Sequence, residues 1–203
     1  MNFLAIDPSN EYLTVIAAKN GRAEFCFEPQ CGMQHSVRLM GAVEETLAKA
    51  GLAPRECDFF AAVTGPGSFT GIRIGVSAAK GFCAAVQKPA LGITSFQTLA
   101  YNAEGKLAAA VPAGRGFYYV CTFAADKRIL GEPARIDGGA LADLAREYTV
   151  CSYFPLPVPY RKADPAAGLL AAVRAAGKSD FGDLSAFYLK KSQAEEEREG
   201  RRQ

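Results

Sequence analysis

Short apolar runs separated by turn residues occupy the start of the chain. The first run, at residues 3–6, is followed by a cluster of turn-forming residues at positions 7–10. Residues 12–18 and 23–28 predict two more strands, and the Asn20-Gly21 pair between them is the strongest short signal for a hairpin. The pattern therefore predicts three strands before the first helix.

Helical spacing of apolar residues begins at position 36 and continues to position 50. The stripe that this spacing predicts to be buried consists of Val37, Met40, Val43, Leu47 and Ala48. Residues 59–63 form an uninterrupted apolar run, which is typical of a strand buried on both faces. The elements predicted after it are a glycine-rich loop, a helix at 72–86, a strand at 90–93 and a helix at 96–101 capped by Ser95.

The second half repeats this order more weakly. The predicted elements are strands at 107–111, 116–124, 128–135 and 149–154, helices at 140–148 and 166–176, and a charged tail at 195–202. Pro155, Pro157 and Pro159 predict a rigid, exposed stretch. Mixed strands joined by crossover helices favour an α/β fold with helices on both faces of its sheets. The repetition predicts an N-terminal lobe over residues 1–102 and a smaller C-terminal lobe, with the charged tail, over residues 103–203.

The composition is that of a folded protein with little surplus charge. Of the 203 residues, 49% are hydrophobic, and the formal net charge is +2. A protein that binds nucleic acid without a partner usually has a clear surplus of basic residues. We therefore expect any contact of this chain with nucleic acid to be shared with a partner protein. The six cysteines form no CxxC pair, which favours reduced thiols. We expect neither a signal peptide nor a membrane span, since no uncharged apolar run approaches roughly 20 residues.

The most informative segment is the glycine loop, residues 65–73, which reads Gly-Pro-Gly-Ser-Phe-Thr-Gly-Ile-Arg. Its glycines allow sharp turns or a close approach of the backbone. Ser68 or Thr70 can cap the next helix, whose free amides could face an anion. The spacing does not fit a Walker A loop, a dinucleotide fingerprint or a serine-hydrolase elbow. A tight turn with structural glycines stays open as an alternative.

No acidic residue occurs between Asp58 and Glu104, so neither the loop nor its helix can supply a carboxylate base or metal ligand. The charged residues there, Arg73, Lys80 and Lys88, suit an anionic group or an acidic partner surface. The helix is rich in Gly, Ala and Ser, although each internal glycine lowers helix propensity by up to about 1 kcal/mol relative to alanine. Such a small face allows another helix to approach closely, either within the monomer or on another subunit.

Two polar residues outside the loop are candidates for a site. His35 is the only histidine, and a metal site or catalytic triad would need further partners that the sequence does not place near it. Asp7 closes the first strand beside Ser9. It could help to hold metal and nucleotide, as an acid at this point does in sugar-kinase and actin-like folds, or it could form an Asx turn.

The first half of the chain resembles the TsaB family, also called YeaZ. Residues 4–9, Leu-Ala-Ile-Asp-Pro-Ser, are similar to the family's opening strand and turn, and His35-Ser36 followed by Leu39 is similar to its first-helix motif. Residues 65–76 and 79–81 resemble its hallmark loop and helix. The likeness covers roughly residues 1–102 and thins beyond them. Ala113-Gly114-Arg115 stands where the family often has Asp-Ala-Arg, and Tyr188-Leu189-Lys190 is similar to a family Tyr-Leu-Arg.

The resemblance implies a two-lobed actin-like, sugar-kinase-like fold of the ASKHA, ribonuclease H-like type, with mixed sheets flanked by helices. It implies a cytoplasmic, non-catalytic scaffold or activating subunit of the bacterial complex that installs the threonylcarbamoyl group on adenosine of tRNA. The implied partners are a TsaD-like catalytic subunit, a TsaE-like ATPase, tRNA through the complex, and a second copy in a homodimer. No intrinsic cofactor, metal or catalytic residue is implied, and ATP or ADP is expected at most at an interface of the complex.

The resemblance also assigns the site residues. Those expected at the partner interface and its loop are His35, Ser36, Leu39, Gly65, Pro66, Gly67, Ser68, Phe69, Thr70, Gly71, Arg73, Gly75 and Ala79. Two alternatives stay open. One is an actin-like ATPase or kinase that uses Asp7, Ser9 and the loop at 65–71. The other is a glycoprotease-like peptidase, which the sequence supports with neither a metal cluster nor a triad.

Overall fold

The computed structural model describes residues 1–189. The strands are β1 (Phe3–Asp7), β2 (Leu13–Lys19), β3 (Arg22–Glu28), β4 (Phe59–Gly65), β5 (Ala90–Thr94), β6 (Leu107–Pro112), β7 (Phe117–Phe123), β8 (Ala134–Asp137), β9 (Thr149–Ser152) and β10 (Arg161–Lys162). The helices are α1 (His35–Lys49), α2 (Phe69–Val86), α3 (Ser95–Ala100), α4 (Gly138–Glu147) and α5 (Pro165–Ala175). The predicted charged tail lies outside the described residues.

The first sheet has five strands in the order β3-β2-β1-β4-β5. The β1–β2 and β2–β3 pairs are antiparallel, whereas β4 runs parallel to both β1 and β5. Asn20 and Gly21 have positive φ angles at the β2–β3 hairpin, as the sequence predicts. The sheet is therefore mixed, with two strand connections that must cross over through helices.

Alternate residues of this sheet face two different helical layers. Leu4 and Ile6 of β1 pack in the same cluster as buried residues of α1 and α2. Phe3 and Ala5 of the same strand pack in a cluster with Leu169 and other residues of α5. Strand β4 is buried along its full length because it is covered on both faces, as its uninterrupted apolar run predicts.

The second sheet has the order β10-β9-β6-β7-β8, with β6 parallel to β9 and antiparallel to β7. Helix α3 covers one face, where Phe96 and Leu99 pack with Leu107. Helix α4 covers the other, where Leu141 packs with Ala108. Because α3 also contacts β4, β5 and α5, it is shared by the two halves of the molecule. The predicted mixed sheets flanked by helices are confirmed.

The end of the described chain returns to the first sheet. Gly168 lets α5 pack closely on α3, because a Cβ there would clash with the carbonyl oxygen of Thr98. Beyond α5, Phe181 pairs with Leu91 of the edge strand β5, and Leu184 is buried beside α1 and α2. The division into residues 1–102 and 103–203 stays a prediction. The residues after 165 nevertheless pack largely on the first half, although the prediction assigns them to the second.

Several local predictions were wrong in detail. The buried stripe of α1 is Leu39, Ala42, Val43, Thr46 and Leu47, whereas Val37 and Met40 are 79% and 53% exposed. The predicted strand at 128–135 is interrupted. Its hairpin pairing ends near Leu130, and the segment that contains Gly131 and Pro133 separates this pairing from β8. Helix α3 is capped by Thr94 in a capping box with Gln97, and Ser95 is its first residue.

Candidate functional site

The glycine loop packs against the turn that follows β1. A Cβ on Gly67 would clash with the carbonyl oxygen of Ser9, and a Cβ on Gly71 would clash with that of Pro8. The Ser68 amide donates a hydrogen bond to the Ser9 carbonyl oxygen at 2.6 Å. These glycines are thus needed because two backbone segments touch, which is the structural-turn alternative for the loop.

Ser68 begins the helix as predicted. Its side-chain oxygen accepts a hydrogen bond from the Gly71 amide at 3.2 Å, so it is the N-cap of α2. The Ile72 amide donates to the Ser68 carbonyl oxygen at 2.9 Å. Two of the amides at the start of the helix are therefore engaged within the loop itself and do not face an anion.

Helix α2 has an inner and an outer face with different requirements for small residues. On the inner face, a Cβ on Gly75 would lie 2.8 Å from Cδ of Pro8, closer than real side chains approach. On the outer face, nothing lies within 4 Å of the corresponding position at Gly81. Intramolecular packing thus accounts for Gly75 but gives no reason for Gly81, nor for Ser77, Ala84 and Ala85, which are exposed near it.

The outer face is unusually apolar for a surface. Helix α2 is the one helix within residues 1–189 that is long and apolar enough to cross a membrane by length and composition alone, and only 28% of it is buried. It contains Arg73 and Lys80, and it lies on the first sheet in contact with α1. Val37 and Met40 are exposed apolar residues of α1. We call the exposed residues Val37, Met40, Ser77, Gly81, Ala84 and Ala85 the helical face.

The predicted interface residues divide into buried and exposed groups. The buried ones are His35, Leu39, Gly65, Pro66, Gly71, Gly75 and Ala79. The accessible ones are Ser36, Gly67, Ser68, Phe69, Thr70 and Arg73, of which Phe69 is half-buried. Side chains of the buried group cannot touch a partner on this surface and can only shape it from within. The sequence reasoning placed Val37 and Met40 in the buried stripe of α1, because helical periodicity does not distinguish a core stripe from an exposed apolar one.

Arg73 contacts the end of the described chain. Its guanidinium carbon lies 3.7 Å from the ring centroid of Phe69, and its Nε donates a hydrogen bond to the Tyr188 hydroxyl at 3.1 Å. The Phe69 and Tyr188 rings are 5.0 Å apart. Arg73, which the sequence analysis considered as a contact for an anion, is thus stacked on one aromatic ring and hydrogen-bonded to another residue of its own chain.

Asp7 forms an Asx turn. Its Oδ1 accepts hydrogen bonds from the Ser9 amide at 2.9 Å and from the Ser9 hydroxyl at 2.6 Å. Its Oδ2 is buried and has no hydrogen-bond partner among residues 1–189. Burial raises the pKa of this carboxyl above its ordinary value of 3.8, although the hydrogen bonds from Ser9 oppose the rise. Because its pKa is raised, this carboxyl holds a proton more readily than an ordinary aspartate, which weakens it as a ligand for a metal–nucleotide complex.

His35 lies inside the fold. It is 5% exposed, and its Nε2 is 3.0 Å from the Tyr12 carbonyl oxygen, to which it donates when that nitrogen carries the proton. Within residues 1–189, no group of three or more His, Cys, Asp or Glu side chains could hold a metal ion. The histidine therefore ties the start of α1 to the start of β2.

A cleft of about 890 Å³ separates the glycine loop from the second sheet. Ser9, Asn10 and Ser68 line one side, and Val111 and Phe154 line the other. Of the two residues from the nucleotide hypothesis, Ser9 lines the cleft and Asp7 does not, although both are buried. The cleft has room for a ligand, and its wall carries neutral polar groups and the acidic residue Glu11.

Two mixed five-stranded sheets with a shared helix and a cleft between them define the actin-like, sugar-kinase-like class of two-lobed proteins. Residues 29–177 match the family model described as TsaD, tRNA N6-adenosine threonylcarbamoyltransferase. The structure of YeaZ from Pseudomonas aeruginosa superposes with a TM-score of 0.79 at 25% identity, covering 93% of this chain and 99% of that one. The chain belongs to the TsaD-type family that the model describes and, within it, to the TsaB group, also called YeaZ.

The sequences of curated relatives match this chain over part of their length. The tRNA threonylcarbamoyladenosine biosynthesis protein TsaB of Escherichia coli is 30% identical over 132 residues, which cover 63% of this chain and 57% of that protein. Its namesake from Bacillus subtilis is 34% identical over 122 residues, which cover 59% of this chain and 53% of that protein. The chain thus spans about half the length of the curated relatives that it matches.

Proposed function

We propose that this chain is a non-catalytic scaffold or activating subunit in the formation of threonylcarbamoyladenosine on tRNA. Its helical face would bind a TsaD-like catalytic subunit, with a TsaE-like ATPase and tRNA joining through the complex in the cytoplasm. A second copy would compete for the same face as a homodimer. The observation that carries the proposal is the outer face of α2, which is apolar, small and mostly exposed in a helix of 18 residues.

The chemistry of the helical face suits another pair of helices. Small residues at Gly81 and Ala84 permit close interaxial distances, and Val37 and Met40 supply apolar side chains that can enter grooves on a partner. Several exposed apolar residues on two packed helices of a folded protein are typical of an interaction site. The partner is therefore expected to present small and apolar helical residues in return.

Three cations around this face, those of Arg38, Lys49 and Lys80, already have partners within the chain. Arg38 lies 2.8 Å from Glu28, and Lys49 lies 2.7 Å from Glu45. Lys80 on α2 lies 3.3 Å from Asp183, although this pair is largely exposed. Because these charges have partners already, the centre of the face can be desolvated without burying an isolated charge.

The proposal is tested by Ala84→Arg, with Ala140→Arg as its matched control. Both alanines are exposed on helices, but Ala140 lies on α4, away from the helical face. A buried, unpaired guanidinium should weaken binding to the TsaD-type subunit by about 2 kcal/mol or more, roughly 30-fold. The readouts are the mass of the co-purified complex and tRNA modification by the reconstituted system. The control should leave both unchanged.

Two results would contradict the proposal. One is full association and full modification with Ala84→Arg, since the helical face would then not be the docking surface. The other is full activity of the partner system when this chain is left out. The purified chain alone is expected to show no transfer activity. Light scattering on the isolated chain, with and without Ala84→Arg, measures the homodimer separately.

The nucleotide-binding alternative has one observation in its favour, the buried and unpartnered Oδ2 of Asp7. Calorimetry with magnesium and ATP tests it on the isolated chain. Tight binding that Asp7→Ala abolishes would favour an ATPase or kinase. We expect no tight binding, because the glycine loop is occupied by contacts with Pro8 and Ser9 and burial raises the pKa of the Asp7 carboxyl. No observation within residues 1–189 favours the peptidase alternative.

A further inference from the structure

A second cavity, with a volume of about 620 Å³, lies between β3 and the first residues of α5. Four aromatic rings line it, those of Tyr12, Phe27, Tyr153 and Phe154. The volume is in the range of roughly 300–1,000 Å³ that is typical of small-molecule sites, which also combine apolar walls with a few polar groups. Because none of these residues belongs to the helical face, the cavity is independent of the proposed docking surface. We call it the aromatic pocket.

Tyr12 is the central ring of this cluster. Its centroid lies 5.8 Å from that of Phe27, 5.4 Å from that of Tyr153 and 6.5 Å from that of Phe154. Tyr12 and Tyr153 are buried, whereas Phe27 is 45% exposed. The two tyrosines thus form a fixed base against which the more exposed phenylalanine rings are held.

The polar ends of the tyrosines are already occupied. The Asn10 Nδ2 donates a hydrogen bond to the Tyr12 hydroxyl at 2.9 Å, and the Tyr153 hydroxyl donates to Thr98 Oγ1 at 2.7 Å. The aromatic pocket therefore offers a ligand ring surfaces rather than hydroxyl groups. Ring surfaces of this kind select a planar partner by stacking, with little dependence on its hydrogen-bonding pattern.

The charged groups that line the aromatic pocket are Lys162 and Asp164. Oδ1 of Asp164 accepts a hydrogen bond from the Ala167 amide at 3.0 Å and so caps α5. Lys162 is exposed and forms neither an ion pair nor a side-chain hydrogen bond with any residue in the part of the chain that the structure describes. A free ammonium at the rim favours a ligand that carries an anionic group.

We propose that the aromatic pocket binds a nucleotide, whose base stacks on the exposed ring of Phe27 and whose phosphate pairs with Lys162. Aromatic stacking combined with a basic side chain is how proteins hold unpaired nucleotides without reading their sequence. The ligand is either a free mononucleotide or an unpaired nucleotide of RNA, which present the same chemistry. The site uses neither the glycine loop nor Asp7, although Phe154 lines both the aromatic pocket and the cleft beside that loop.

The test is a calorimetric titration of the full chain with three probes: AMP, adenosine and a short unstructured RNA oligonucleotide. Phe27→Leu removes the ring, and Phe25→Leu is its matched control. Phe25 lies on the same strand with 39% exposure and does not line the pocket. We expect Phe27→Leu to weaken binding by about five-fold or more and Phe25→Leu to have no effect beyond two-fold, since stacking one base contributes roughly 1–3 kcal/mol.

Lys162→Gln tests the phosphate contact separately. It should abolish the preference for AMP over adenosine, and for RNA it should lower the salt dependence of binding by about one ion. Binding of AMP assigns a free nucleotide as the ligand, and binding of RNA alone assigns an unpaired RNA nucleotide. The inference is overturned if neither AMP nor the RNA oligonucleotide binds, if adenosine binds as tightly as AMP, or if Phe27→Leu and Phe25→Leu lose the same affinity. Melting temperatures of all variants identify any loss that comes from misfolding.

Discussion

Two glycines of the same helix should respond in opposite directions to the same substitution. Gly75→Ala and Gly81→Ala both add one methyl group to α2, and both gain up to about 1 kcal/mol of helix propensity. At Gly75 the new Cβ would lie 2.8 Å and 2.9 Å from two carbons of the Pro8 ring, whereas at Gly81 it meets nothing within 4 Å. The gain in helix propensity is the same for the two variants. The difference between their free energies of unfolding therefore measures the contact with the turn after β1.

The contact of the new methyl group with Pro8 would overpack this part of the interior. Overpacking of a well-packed interior costs about 1–3 kcal/mol of stability. We therefore expect Gly81→Ala to be stabilised by up to about 1 kcal/mol and Gly75→Ala to be less stable than Gly81→Ala by about 1–3 kcal/mol. For a chain of this size, each kcal/mol moves the melting temperature by about 2–4 °C.

The assay is urea and thermal unfolding of both variants beside the parent chain, followed by circular dichroism. The measurement is repeated over a range of protein concentrations, because Gly81 belongs to the helical face and self-association would add stability by mass action. Equal stability of the two variants, within about 0.5 kcal/mol at low concentration, would refute the assignment of Gly75 to an intramolecular contact.

Two further predictions concern buried polar groups. Thr98→Val removes the acceptor of the Tyr153 hydroxyl at 2.7 Å and should destabilise the chain by about 1–3 kcal/mol, measured by urea unfolding; a loss below about 0.5 kcal/mol would contradict it. The raised pKa of Asp7 means that the folded state holds the proton of this carboxyl more tightly than the unfolded state does. The contribution of Asp7 to the free energy of unfolding therefore falls as pH rises above 3.8, the ordinary pKa of the group. Asp7→Asn should therefore gain stability relative to the parent chain between acidic and neutral pH, and a difference independent of pH would contradict this sign.

Local patterns predicted the elements well where neighbours in sequence decide the structure. The β2–β3 hairpin follows from Asn20-Gly21, and the buried strand β4 follows from its apolar run. The cap at Ser68 follows from the polar residue before a helix, although α2 starts three residues earlier than its apolar spacing suggests. These features need no information about distant parts of the chain.

Contacts between distant segments could not be predicted in this way. The periodicity of α1 includes Val37 and Met40, and only the position of α1 on the sheet shows that they point outward. Arg73 is a free cation in the sequence, but Tyr188 reaches it from 115 positions away. The aromatic pocket brings together the start of β2, the edge strand β3 and the segment after β9, so no sequence window contains it.

The return of the chain to its first sheet also has a consequence for synthesis. Leu169 and Leu184 fill opposite faces of a sheet whose first strand is made some 160 residues earlier. Domains commonly fold as they leave the ribosome, amino end first, but this sheet keeps an open apolar face until α5 has been made. Phe181 and Tyr188 reach β5 and α2 only after that point. A nascent chain should therefore acquire its docking surface late, which discourages premature assembly with partners that are already present.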